Sequence, residues 1–285
     1  MIPRLILAFL VTASASIAAE PTAPRAPRKP VVWNNPDKVK SDLVTHHELV
    51  SASMDRVVGY TLYLPPGYAE DGNTTRYPVV YFLHGAGGNE SADGPAFAGY
   101  IHRQSAKYNF PPVICVFPNG GMSAYRNHPD TGINVETMII DELLPHIDAT
   151  YRTLPQRESR GLAGYSMGGG GAVHLALKHS DLFSVAASWA GSQVNFRTKE
   201  LYDDITIDML RAQEPTIRLL MITGYDDQAT YDAHGPFTAL LDAAKYPYTL
   251  RKLRGVNHNL GLYYVHTARD LVTFLLQDIA TAVVE

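Results

Sequence analysis

Ser166 stands at the centre of Gly164-Tyr165-Ser166-Met167-Gly168, a run that follows an apolar stretch and opens a segment of helical pattern. Between a strand and a helix, Gly-x-Ser-x-Gly forms a nucleophile elbow: the turn is so tight that it asks for glycine two before and two after, and it holds the serine oxygen clear of the sheet. An idle serine in a Gly-rich helix start is the alternative. A serine hydroxyl is a weak nucleophile until an imidazole takes its proton, and the imidazole needs a carboxylate to fix its tautomer. In folds built around this elbow those partners follow in the chain order Ser, Asp or Glu, His. Two later turns supply them in that order: Gly224-Tyr225-Asp226-Asp227, and Gly255-Val256-Asn257-His258-Asn259. The separations, 61 residues from Ser166 to Asp227 and 31 from Asp227 to His258, leave room for at least about one strand-helix unit each. Asp227 is preferred to Asp226 because the acid of this turn usually stands three residues after the glycine. His258 is preferred to His234 and His266, which fall inside helical segments, where a histidine more often belongs to the core or the surface.

Acyl chemistry also needs donors for the oxyanion: the backbone N–H after the nucleophile and one from the loop after the third strand of the fold. Met167 is the first. The second is placed at Ala86, within His84-Gly85-Ala86-Gly87-Gly88, with a plain Gly-rich turn as the alternative; His84 is expected to orient that loop. All these groups belong to the protein. No His-x-x-x-His and no Cys cluster is present and no Glu-flanked His pair offers a metal site, so no metal and no cofactor is expected.

Such residues need a sheet that ends beside them. Pro78 to Leu83 is a continuous apolar run of the kind buried on both faces, and Val57 to Leu64 alternates like a half-exposed strand. Val113 to Phe117, Arg160 to Ala163, Ser184 to Trp189, Leu219 to Thr223 and Tyr248 to Leu253 are further strands. Val135 to Tyr151, Met167 to His179, Thr230 to Lys245 and Leu260 to Ala280 carry helical pattern, with a kink expected at Pro145. Seven or eight strands alternating with helices predict an α/β fold with a mostly parallel central sheet, helices on both faces, and ligands outside the carboxyl ends of the strands.

The chain of 285 residues is 46% hydrophobic and 18% charged, which excludes disorder throughout. With 24 Lys and Arg against 28 Asp and Glu, the net charge is −4, and without a long basic run nucleic acid is not an expected partner. The single cysteine, Cys115, lies inside an apolar strand and reads as a buried, inert thiol. Arg4, the apolar stretch to Ala19 and its small-residue end have the pattern of a signal peptide over residues 1–19. The stretch is short for a membrane span, so no stable insertion is expected once it is cleaved, and a secreted or periplasmic chain is. Residues 20–31, rich in proline, read as a disordered leader, and residues 32–285 as one catalytic domain.

Beyond the elbow, the blocks Tyr60 to Tyr68 (YTLYLPPGY), Tyr77 to Gly85 (YPVVYFLHG), Glu142 to Asp148 (ELLPHID), Tyr151-Arg152-Thr153 and Gly161 to Gly169 (GLAGYSMGG) resemble the esterase family of α/β-hydrolases. That family includes feruloyl and acetylxylan esterases of carbohydrate esterase family one, S-formylglutathione hydrolases and mycolyltransferases. The resemblance runs from about Val44 to Leu276. It implies an α/β-hydrolase fold, a proline inside the 135–151 helix, and a serine esterase working through an acyl-enzyme. Family members often read Gly-Gly-His-Asn or Gly-His-Asn-Trp at the histidine; here Asn257 precedes it and no Trp follows.

The resemblance also implies an acyl pocket lined by the loop after Val113 to Phe117, where similar enzymes carry Ser-aromatic-Tyr. Ala124 replaces the aromatic, suggesting a wider pocket, and makes Tyr125 and Arg126 candidates for substrate contact. Trp189 either faces the site or packs into the core. The expected substrate is a small-molecule or polysaccharide-linked ester, with feruloyl or acetyl groups on plant polysaccharide fitting an exported chain best. Transfer of the acyl group to a sugar, hydrolysis of another ester such as a siderophore lactone, and a non-catalytic module on the same scaffold are the competing readings; an intact Ser, Asp and His argues against the last.

Overall fold

The computed structural model describes residues 30–195 and 200–279. The expected signal peptide and the leader up to residue 29 lie outside the described residues. Eight strands make one sheet: β1 (Thr45–Ser51), β2 (Arg56–Tyr63), β3 (Val79–Leu83), β4 (Ile114–Pro118), β5 (Arg160–Tyr165), β6 (Val185–Trp189), β7 (Arg218–Gly224) and β8 (Thr249–Leu253). Their spatial order is β1-β2-β4-β3-β5-β6-β7-β8. The β1–β2 and β2–β4 pairs are antiparallel and all the others parallel, as the alternation of strands and helices predicts.

Alternation along a strand sends successive side chains to opposite faces, and β3 builds both cores this way. Val79, Tyr81 and Leu83 join a cluster with Met138, Leu143, Leu175, Phe237 and Leu241. Those residues come from α2 (135–150), α3 (Met167–Lys178) and α5 (His234–Ala244), the short α4 (Ile207–Ala212) lying between the last two in the chain. Val80 and Phe82 join the other cluster with Phe97 and Ile101 of α1 (Gly94–Tyr108) and Leu271 and Leu275 of α6 (Leu260–Ile279). Cys115 belongs to this second core, where burial pushes its thiol far above the usual range. Among the described residues no helix is long and apolar enough to cross a membrane.

β1, β2 and the 135–150 helix differ from the sequence reading, each for a physical reason. β1 (THHELVS) escaped notice because it is an edge strand with only two buried residues, Leu49 and Ser51, while Val50 is 82% exposed. β2 is not half-exposed. Paired on both sides and covered on both faces, it is buried from Val58 to Tyr63. The 135–150 helix meets Pro145 by changing pitch, as Val135–Thr137 and Leu144–Thr150 flank a π-turn, Met138–Leu143. Proline lacks an N–H and its ring crowds the carbonyl four residues back, and the wider turn clears it.

Candidate active site

The elbow closes where β5 meets α3. Ser166 has φ 54°, the left-handed region unusual for a residue with a Cβ, and its N–H donates to Trp189 O at 2.8 Å. The flanking glycines are imposed by close approach. A Cβ at Gly164 would lie 2.3 Å from Gly168 O, and one at Gly168 only 1.9 Å from Leu83 O at the end of β3. The loop after β3 is thereby pressed against the serine: a Cβ on Gly85 would stand 3.5 Å from that of Ser166.

His258, in the turn between β8 and α6, brings Nε2 to 2.9 Å from Ser166 Oγ. Its Nδ1 lies 3.0 and 2.9 Å from the two carboxylate oxygens of Asp227, in the turn after β7. With Nδ1–H donating to the carboxylate, the Nε2 lone pair faces the serine hydroxyl, the tautomer that general-base chemistry requires. The choice between the two aspartates falls to Asp227, which is fully buried, whereas Asp226 is exposed. Burial pushes the Asp227 carboxyl up, but hydrogen bonds from His258 and Tyr263 outweigh it and hold the group below its ordinary value. His234 is buried, with Nε2 hydrogen-bonded to nothing among the described residues and its pKa pushed down to about 4 by burial. His266 is exposed on α6.

Two supporting residues were not singled out in the sequence. Tyr263, in the first turn of α6, donates its hydroxyl to Asp227 Oδ2 at 2.7 Å and accepts the N–H of Gly224 at 2.9 Å. Tyr165 lays its ring along the His258 imidazole, with centroids 5.1 Å apart. The signal for Tyr263 was present: a tyrosine five residues past the histidine, on a helix that must pack behind the acid turn.

Met167 opens α3, so its N–H is among those that have no acceptor within the helix. Ala86 is exposed beside Gly85, and no hydrogen bond from its N–H is made to the described residues. Around it the loop is pinned. Asp93 accepts the Gly85 N–H at 2.8 Å, and the Gly88 N–H closes a turn on Gly85 O at 3.0 Å. His84 is a scaffold residue, as expected: Gly120 N–H donates to its Nε2 at 3.0 Å, so the proton sits on Nδ1 and is donated to Gly85 O at 2.8 Å. Burial keeps this ring neutral by lowering its pKa.

The three residues expected to touch substrate are placed elsewhere. Tyr125 is fully buried; Ala124 and Tyr125 both take positive φ, 55° and 59°, and turn the ring inward beneath Gly120 and Gly171. Its hydroxyl donates to His84 O at 3.1 Å, tying the loop after β4 to the loop after β3. Arg126 is 8% exposed, donates to Asp204 at 3.2 and 3.3 Å, and stacks on Tyr202. Trp189 is a core residue packed on Phe82 and Tyr264, with its indole N–H donated to Thr267 at 2.9 Å. The apolar side chains that do stand exposed in the loops after β4 and β7 are Met122, at 44%, and Tyr225, at 49%.

The family model described as putative esterase matches residues 51–280. The chain belongs to this esterase family. It has an α/β-hydrolase fold. It is 36% identical over 137 residues to an esterase of Mycobacterium tuberculosis, covering 47% of this chain and 29% of that protein. Over 140 residues it is 32% identical to an endo-1,4-beta-xylanase/feruloyl esterase of Xylanibacter ruminicola, covering 47% of this chain and 19% of that protein. The chain therefore spans less than a third of the length of these curated relatives. Among solved structures, a ferulic acid esterase superposes with a TM-score of 0.70 at 24% identity, over 81% of this chain and 97% of that one.

Proposed function

We propose that this esterase cleaves feruloyl or acetyl esters of plant polysaccharide, with Ser166 as nucleophile, His258 as general base and acid, and Asp227 as the group that orients the imidazole. The observation that carries this reading is the unbroken hydrogen-bonded line from Ser166 Oγ through His258 to buried Asp227. Ser166 Oγ bonds to the ester carbonyl carbon as its proton passes to His258 Nε2. The carbonyl π pair moves onto oxygen, which the N–H groups of Met167 and Ala86 receive. Collapse of this adduct breaks the ester bond, and the departing alkoxide takes the proton from His258. Water then repeats the sequence on the acyl-enzyme and releases the acid.

The substrate class draws on the feruloyl esterase in the name of the Xylanibacter relative and on the fold shared with a ferulic acid esterase. Met122 and Tyr225 provide exposed apolar surface for an aromatic acyl group. Export rests on the signal-peptide pattern of residues 1–19; N-terminal sequencing of the protein from culture supernatant should begin near residue 20. The main test is a panel of methyl ferulate, acetylated xylan and short 4-nitrophenyl esters, run with Ser166→Ala as control. The variant should keep its circular dichroism and lose at least about 10⁴-fold in rate, and a fluorophosphonate should label Ser166 in the parent only. Undiminished turnover by the variant overturns the serine mechanism. Turnover of the 4-nitrophenyl esters alone overturns the substrate class.

A further inference from the structure

Away from the triad, α1 and α6 enclose a groove of about 680 Å³. Tyr100, Arg103, Lys107 and Tyr108 line it from α1, at the i, i+3, i+7 and i+8 positions that share one helix face. Tyr264 and Arg269 line it from α6. Tyr100 lies 6.3 Å from Tyr264, and Arg269 lies 4.5 Å from the ring of Tyr108, so the two helices run in the same direction. Both begin at the catalytic edge. Asp93, which holds the Gly85 N–H, immediately precedes α1, and α6 starts two residues after His258. The groove therefore leads away from the triad, and from Tyr100 to Tyr108 it runs about 12 Å at the helical rise of about 1.5 Å per residue.

Its chemistry is one-sided. Among the described residues, three permanent cations line it and no carboxylate does. The neighbouring acids are engaged elsewhere, Asp270 by Arg251 at 2.5 Å and Asp93 by Gly85. Lys107 and Arg269 both lie over the Tyr108 ring, at 5.1 and 4.5 Å, which keeps their stems against the wall. Tyr264 and Gln104, which line it, each carry a buried oxygen with no hydrogen-bond partner among the described residues, although buried polar groups are nearly always paired. The fold thus leaves over positive charge and flat aromatic surface in one concave strip, with two unpaired oxygens just beneath it.

We infer that this groove is a binding subsite for a uronate-bearing oligosaccharide, the acidic part of the chain whose ester the triad cleaves. Sugar rings present C–H faces to tyrosines and hydroxyls to polar atoms, and a uronic acid adds the carboxylate that Arg103, Lys107 and Arg269 lack. The inference rests on the polysaccharide reading above. Binding, not hydrolysis, tests it. In calorimetry at low salt, a xylo-oligosaccharide carrying a glucuronic acid branch should bind, and its neutral counterpart should bind at least tenfold more weakly. Affinity should fall on raising the salt, since the charges are exposed. Arg103→Gln/Lys107→Gln should lose at least tenfold in that affinity while hydrolysing 4-nitrophenyl acetate at the parental rate. In case the double variant is unstable, amide shifts of the parent on titration should concentrate on residues 100–108 and 264–269. Equal binding of acidic and neutral sugars, shifts confined to other surfaces, or binding to anionic vesicles without binding of the acidic sugar would each overturn the inference. Inactivity on every ester with the sugar still bound here would instead overturn the catalytic reading.

Discussion

Replacing Tyr263 by phenylalanine removes one oxygen and tests how the acid is held. That hydroxyl donates to the buried Asp227 carboxylate at 2.7 Å and accepts the Gly224 N–H at 2.9 Å, while the ring stays in the second core. A hydrogen bond to a charged group contributes about 1.5–3 kcal/mol, and for a domain of this size each kcal/mol shifts Tm by about 2–4 °C. Tyr263→Phe should therefore unfold about 3–12 °C below the parent at pH 7. The pH dependence fixes the origin of the loss. Asp227 is held below its ordinary carboxylate value, so the stability its ionised form contributes is present above the unfolded value of about 3.9 and is lost as pH falls through the folded one. The gap between variant and parent should be full at pH 7 and close as acid protonates Asp227. In kinetics, a carboxylate with one donor fewer should hold the imidazolium more tightly, moving the acid limb of kcat/KM to higher pH. A looser Asp227 should lower kcat by up to about 10²-fold with KM nearly unchanged. Thermal unfolding from pH 3 to 8 and a pH–rate profile with 4-nitrophenyl acetate provide both readings. An unchanged acid limb with an unfolding loss that does not vary with pH would refute the idea that Tyr263 acts through Asp227.

Asp227→Asn should cost about 10⁴-fold in kcat by favouring the wrong tautomer, whereas Asp226→Asn, at an exposed position, should cost little; equal losses would overturn the assignment. Gly168→Ala places a methyl 1.9 Å from Leu83 O and should abolish folding or activity, while Gly235→Ala on α5, where nothing lies within 4 Å, should leave activity intact and stability equal or up to about 1 kcal/mol higher; thermal unfolding of both decides it. Dialysis against EDTA should leave the rate unchanged, and a loss restored by a divalent ion would show that a metal takes part.

How much of this was legible in the sequence depended on whether a residue's surroundings come from its own segment or from elsewhere. Pro78 to Leu83 advertises a doubly covered strand because both faces are apolar. Thr45–Ser51 advertises nothing, since its partner β2 supplies the hydrogen bonds while water meets most of its side chains. Likewise α1 keeps only a narrow buried stripe around Phe97, Ala98 and Ile101, too few apolar positions to mark a 15-residue helix. The kink read at Pro145 was a sound reading of the missing N–H, but the chain absorbed it upstream as a π-turn.

The site divides along the same line. Ser166, Asp227 and His258 were readable because each follows a strand at the edge where side chains converge, and because the elbow's glycines carry a geometric demand that the clashes at 164 and 168 make explicit. Position after a strand says where a backbone emerges, not where its side chains turn. Tyr125 and Arg126 emerge at the catalytic edge, yet two consecutive positive φ values at Ala124 and Tyr125 rotate the ring into the core, and a bond from Tyr125 N–H to Ser123 Oγ at 2.9 Å fixes that turn. Backbone of that kind costs about 1–3 kcal/mol per residue, so the surroundings must over-determine it. Here they do so by using Tyr125 as the bolt between the loops after β3 and β4. A ring committed to tying the loop after β3 to the loop after β4 is not free to contact substrate, and its hydroxyl, bonded to His84 O, fixes the residue two before Ala86.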